Sequence, residues 1–190
     1  MLSKTEEKIM QNWKGDRNMP LVSICTATYN HEKYIAEALD SFLMQETNFP
    51  FEILVRDDCS TDKTAKIVKR YAEQYPQLIK PLLEKENIYS KGINPMSKLY
   101  KIARGKYIAL CEGDDYWSDS LKLQKQVDFL EKNCDYCMVH TNHDVLKNEQ
   151  IKKSVKKRDS IPVGDVKEQL LYANFISTLT TCMQKSKLEE

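Results

Sequence analysis

Tyr107-Ile-Ala-Leu-Cys111 is apolar throughout, with no polar residue alternating along it. A strand with one wet face alternates apolar and polar side chains. An unbroken apolar run fits a strand covered on both faces, as at the centre of a parallel sheet. Leu21-Val-Ser-Ile-Cys25 and Phe51-Glu-Ile-Leu-Val55 predict two further strands, and 78–84, 136–141 and 175–183 another three. Helical spacing fills the intervals: Ile35, Leu39, Phe42 and Leu43 fall on one face of 32–46. Ala65, Val68, Ala72 and Tyr75 mark a second helix, capped by Ser60 or Thr61. Met96, Leu99, Tyr100 and Ala103 mark a third, with Gly105 placed to terminate it. Leu123, Val127 and Leu130 mark a fourth, capped by Ser118 or Asp119, and 165–172 reads as a fifth. Strands and helices alternate three times between residues 21 and 132, so an α/β, Rossmann-like fold with a mainly parallel, helix-flanked sheet is expected. Residues 1–19 form an N-terminal arm or short helix, with Ile9, Met10 and Trp13 on one side, and 20–190 form one domain.

Twenty-nine Lys and Arg oppose 28 Asp and Glu, which excludes the basic footprint of a general nucleic-acid binder. No apolar run approaches the roughly 20 residues that span a bilayer, and the polar N-terminus lacks the core of a secretory signal. A cytoplasmic protein is expected. Cys25, Cys111 and Cys182 lie in apolar runs and read as buried free thiols. Cys134-Asp-Tyr-Cys137 has zinc-ligand spacing but no second pair close behind it; only His140 and His143 are near.

In an open parallel sheet, ligands bind beyond the carboxyl ends of the strands. Thr28-Tyr29-Asn30 follows the first strand here, Asp57-Asp58 the second, and Glu112-Gly-Asp114-Asp115 the strand at 107–111. Carboxylates held together repel one another and raise each other's pKa, which a divalent cation relieves. Aspartate oxygens suit Mg²⁺ or Mn²⁺, ions that keep positions open for phosphate. Asp115 and Asp114 therefore read as a metal site for a diphosphate; the bland alternative is a solvated loop. Trp117 either stacks on a sugar ring or caps the core.

Three ordered segments carry a family resemblance. Val22-Ser-Ile-Cys-Thr-Ala-Thr-Tyr-Asn30, Glu52-Ile-Leu-Val-Arg-Asp-Asp-Cys-Ser-Thr-Asp-Lys-Thr64 and Ala103-Arg-Gly-Lys-Tyr-Ile-Ala-Leu-Cys-Glu-Gly-Asp-Asp-Tyr-Trp117 resemble the family 2 inverting glycosyltransferases. The segment 121–130 resembles the helix that follows in them. The resemblance implies a glycosyltransferase type A fold binding a nucleoside-diphosphate sugar, with uridine the favoured base. It places Thr28 and Tyr29 beside the nucleotide base, Asp58 as an acceptor for the base or ribose, and Asn30 and Asp57 in the same nucleotide-sugar site. It puts Asp114 at the ribose or sugar, and Asp115 on Mn²⁺ or Mg²⁺ in a DXD-type motif. Glu112 stands where relatives often have that motif's first Asp. Lys91 is a candidate phosphate contact. The acceptor would be a saccharide or a lipid-linked molecule.

The implied reaction is one displacement at the anomeric carbon, with a carboxylate taking the acceptor proton. The resemblance puts that base beyond Glu190, so the domain is expected to be truncated in its acceptor part, binding donor but transferring sugar poorly. Asp144, His140 and His143 are the candidates within the chain. The basic stretch 147–158 is a loop or hairpin tip, either solvated or touching anionic lipid or a phosphorylated acceptor at the membrane's inner face. A metal-dependent nucleotidyltransferase would carry glycines in its first loop, and 26–33 contains none. A phosphoacceptor receiver would carry its acidic pair after the first strand, and G-x-G-x-x-G is missing. A donor-binding module without catalysis stays open.

Overall fold

The computed structural model describes residues 4–147, 150–153, 162–172 and 176–188. Glu6–Met10 (α1) is followed by a repeating strand–helix sequence. It runs Val22–Thr28 (β1), Ile35–Leu43 (α2), Phe51–Asp57 (β2), Thr64–Gln74 (α3), Ile79–Leu83 (β3), Met96–Ile102 (α4), Tyr107–Leu110 (β4) and Lys122–Lys132 (α5). The first four strands are parallel in the order β3-β2-β1-β4. Thr181–Gln184 (β8) then pairs antiparallel with β4 and with Met138–His140 (β5), which completes six strands. Asp144–Lys147 (β6) and Gln150–Lys153 (β7) form a separate antiparallel hairpin, and Lys167–Tyr172 is α6. Among the described residues no helix is long and apolar enough to cross a membrane.

The apolar runs are buried as expected. Every residue of β2 and β4 is buried, and all but one of β1. Successive side chains point to opposite faces. Ile24, Ile53, Val55, Tyr107 and Ala109 enter the larger core with α2, α3 and α5, while Cys25, Leu54, Ile108 and Leu110 meet α4. The N-terminal segment is fastened to this body. Ile9 and Met10 are buried, and the Glu6 carboxylate accepts the amides of Gln77 (2.7 Å) and Leu78 (2.9 Å).

Local chemistry differs from expectation in four places. Gly105 does not end its helix with a left-handed residue; α4 caps at Ala103. Its lack of a side chain serves a close approach instead, since a Cβ there would lie 2.5 Å from Ser23 N and 2.7 Å from Val22 C. Gly105→Ala must push β1 backbone aside, an overpacking worth about 1–3 kcal/mol. Urea unfolding should show that loss with an unchanged slope. Ser60 and Thr61 do not cap α3: Ser60 bonds Asp57 and Thr61 bonds Asn30, while Asp62 takes the Thr64 amide (2.8 Å). Ser118 and Asp119 lie ahead of the cap of α5, which is Leu121; Asp119 accepts the Leu121 amide (2.9 Å). Of the strand expected over 175–183, residue 175 lies outside the described residues, a 3₁₀ turn occupies Thr178–Thr180, and β8 begins only at Thr181. There the Thr180 and Thr181 hydroxyls donate to Ser177 O (2.6 Å) and Thr178 O (2.9 Å), drawing that backbone out of the sheet.

Candidate functional site

Thr28, the last residue of β1, is the hub of the carboxyl edge. It pairs with Asp57 across the sheet, and its carbonyl accepts the Asp58 amide (2.9 Å). On its other side Gly113 N donates to Ala27 O (3.0 Å). Gly113 lets the Glu112–Asp115 turn close on β1: a Cβ there would sit 2.7 Å from Thr28 Oγ1 and 3.2 Å from His31 Nδ1. Both acidic segments thus flank one strand end, as the parallel sheet required.

Their carboxylates do different things. Asp57 is turned into its own loop, accepting the Ser60 amide (3.0 Å) and hydroxyl (2.5 Å). Asp58 is buried, and its two oxygens accept Ile88 N (3.1 Å) and Tyr89 N (3.0 Å), pinning the connection between β3 and α4. Arg56, completely buried, steadies that connection through Glu84 (Nη2–Oε1 2.9 Å) and Pro95 O (2.5 Å). Lys91 is paired with Glu86 (2.7 Å). Asn30 adopts a left-handed φ of 55°, and its side chain takes the Thr61 amide (2.8 Å), lacing the first loop to the second. Tyr29 is exposed beside it.

The other acidic segment is poised differently. Burial first, then the charge of Asp114, holds the Asp115 carboxyl above its ordinary range, against His143 and His31 pulling it down. Burial likewise raises Glu112, helped by Asp115 and Asp114 and opposed by its own amide and the Thr178 hydroxyl. Asp114 is half exposed, 3.8 Å from His31 Nε2. Thr28 Oγ1, His31 Nδ1 and Glu112 Oε2 are buried without a hydrogen-bond partner. Buried polar atoms in native proteins almost always have one, so their concentration beside the raised Glu112 and Asp115 carboxyls makes this turn the candidate site.

Among the described residues no group of three His, Cys, Asp or Glu side chains is arranged to hold a metal. That applies to Cys134, Cys137, His140 and His143: both cysteines are exposed free thiols, and His143 faces Ser177 Oγ (3.1 Å). The Asp114–Asp115 pair fits a different kind of site, where one or two carboxylates share an ion with substrate phosphates. Trp117 caps the core: it is buried edge-on to Phe42 (4.9 Å) and donates to Leu179 O (2.8 Å). His31 was not a sequence-level candidate; its place directly after Thr28-Tyr29-Asn30 was the available signal. Asp144 is exposed at the start of β6.

Residues 23–185 match the sequence model of glycosyl transferase family 2. An uncharacterized protein of Mycobacterium tuberculosis is 50% identical over 113 residues, covering 59% of this chain and 32% of its own. The putative teichuronic acid biosynthesis glycosyltransferase TuaG of Bacillus subtilis is 36% identical over 126 residues, covering 66% of this chain and 46% of its own. Among solved structures, TarS 1–349 of S. aureus aligns with a TM-score of 0.68 at 27% identity, over 88% of this chain and 48% of that one. TarS has also been solved with UDP and with UDP-GlcNAc. The chain therefore spans less than half the length of these relatives. With its sheet order, its two acidic strand ends and a profile match over most of its length, the chain belongs to glycosyl transferase family 2.

Proposed function

We propose that the chain binds a nucleoside-diphosphate sugar, with UDP-sugar favoured, and serves transfer of the sugar to an acceptor hydroxyl with inversion. The observation that carries this reading is the Glu112–Asp115 turn, closed on Thr28 through Gly113, with the Glu112 and Asp115 carboxyls raised by burial and neighbouring carboxylate charge. The UDP complexes of TarS support the choice of nucleotide.

Asp115 and Asp114 would hold Mn²⁺ or Mg²⁺, which when bound offsets charge developing on the departing diphosphate. The chain's own groups bind and orient. Tyr29 offers an exposed ring to the base. Asp58 has one oxygen on each of two amides, so each retains acceptor capacity for the base or ribose. Thr28 Oγ1 and His31 Nδ1, buried without partners beneath Gly113, are open to a hydrogen bond from the donor if the turn shifts. Lys91 reaches a phosphate only by leaving Glu86. Of the in-chain candidates for the base, His143 is held at the rim of the acidic turn, 3.1 Å from Ser177 Oγ. The acceptor is a saccharide or lipid-linked molecule met at the cytoplasmic membrane face.

Calorimetric titration of UDP in Mn²⁺, repeated in EDTA, tests the reading. Binding in Mn²⁺ that disappears in EDTA is expected; no heat in either condition sinks it. Turnover of a UDP-sugar, or its absence despite binding, separates an enzyme from a donor-binding module.

A further inference from the structure

We propose that the β6–β7 hairpin is an interfacial anchor that holds the mouth of the donor site against an anionic lipid surface. All eight of its strand residues are exposed. A lone two-stranded ribbon has no core of its own and is marginally stable in water, so its apolar side chains are not explained by folding. Val145, Leu146 and Ile151 are 48%, 52% and 64% exposed. Leu146 and Ile151 are register partners and so project together from one face of the ribbon. Lys153 and Asp144 share that face, Lys147 and Lys152 project from the opposite one beside Val145, and the sequence between the strands adds Glu149, so one face is apolar at its centre and the other carries two lysines. Apolar side chains with lysines interleaved are what a headgroup boundary takes up: the apolar groups enter the acyl edge while ammonium groups stay among anionic headgroups. A soluble polyanion would use the lysines and leave the apolar pair in water.

The root of the hairpin gives the contact its purpose. Thr141 N bonds Thr180 O (3.2 Å) and Ser177 Oγ lies 3.1 Å from His143 Nδ1, one residue before β6 starts. The same turn gives Thr178 to Glu112, and His143 is felt by Asp115. The ribbon therefore springs from the rim of the acidic turn, where a lipid-linked acceptor would have to arrive. This purpose rests on the sugar-transfer reading, while the contact itself does not.

Co-sedimentation of the full chain with vesicles of phosphatidylcholine alone, and of phosphatidylcholine mixed with phosphatidylglycerol, tests it. At least tenfold preference for the anionic vesicles is expected, falling with added salt. The triple variant K147E/K152E/K153E should lose it, and L146S/I151S should weaken it about tenfold. These side chains are exposed, so both variants should keep the native melting temperature and UDP affinity, which separates this test from that of the donor site. Equal binding to both vesicle types, or none, overturns the proposal. So does an L146S/I151S protein that sediments like the native chain, especially if dextran sulfate competes: that result would make the ribbon a polyanion site.

Discussion

Glu84→Ala is expected to remove about 3–5 kcal/mol of stability, the cost of leaving a buried charge without its partner. Arg56 is completely buried, yet its guanidinium meets Glu84 at 3.0 Å through Nε and 2.9 Å through Nη2. Asp58 is 4.0 Å away and Lys98 bonds Glu84 from the outside (2.8 Å), so two cations balance two carboxylates. Without Glu84, Arg56 keeps only Pro95 O and the more distant Asp58. Lys98→Ala removes a half-exposed partner and should cost under about 1 kcal/mol. A double replacement, Arg56→Met with Glu84→Leu, should be milder than Glu84→Ala alone, because it removes both charges together. Guanidinium unfolding of the three variants reads all of this. A Glu84→Ala loss below about 1 kcal/mol would mean that Asp58 and Pro95 suffice for Arg56. The functional consequence would follow through Asp58, whose grip on Ile88 and Tyr89 depends on Arg56 staying in place.

This network also shows where sequence reading reaches its limit. The apolar runs at 22–25, 51–55 and 107–110 announced buried parallel strands, because hydrophobic pattern depends on local spacing alone. The acidic strand ends were legible for the same reason: each directly follows its strand. What a carboxylate faces depends on a segment far along the chain. Nothing near Asp58 in the sequence shows that it also holds the amides of residues 88 and 89, and Arg56 reads as a strand-end charge until Glu84 arrives. Gly105 looked like a helix stop; only the packing of β1 beside it shows why a side chain is excluded. The strand at β8 was read, but not its late start or antiparallel direction, since the Thr180 and Thr181 hydroxyls compete for backbone that period-two counting assigns to a strand. His31 escaped notice because a single histidine carries no pattern; Gly113, which brings the acidic turn against it, is what makes it part of the site.

Asp115→Asn is expected to weaken Mn²⁺-dependent UDP binding at least ~100-fold, equivalent to ~2.7 kcal/mol. Asparagine keeps the shape and one acceptor oxygen but loses the charge that would hold a hard cation beside a diphosphate. Asp114→Asn should cost less, about tenfold, because Asp114 is half exposed and one of its oxygens faces His31. Stability should move the other way. Burial and the neighbouring Asp114 raise the Asp115 pKa in the folded chain. A carboxyl so raised contributes stability below its unfolded pKa and loses that contribution as pH rises through the folded value. Near pH 7 the ionised group is a net cost to the metal-free protein, so Asp115→Asn should melt higher than the native chain. The gap should close as the pH is lowered below about 3.9, the ordinary aspartate value, where the carboxyl becomes protonated in the unfolded chain as well. Opposite changes in binding and melting temperature distinguish a site residue, held at the expense of the fold, from a structural one whose loss lowers both. If Asp115→Asn keeps UDP affinity within about threefold and melts lower, Asp115 belongs to the scaffold and the donor phosphates must be sought elsewhere on the edge.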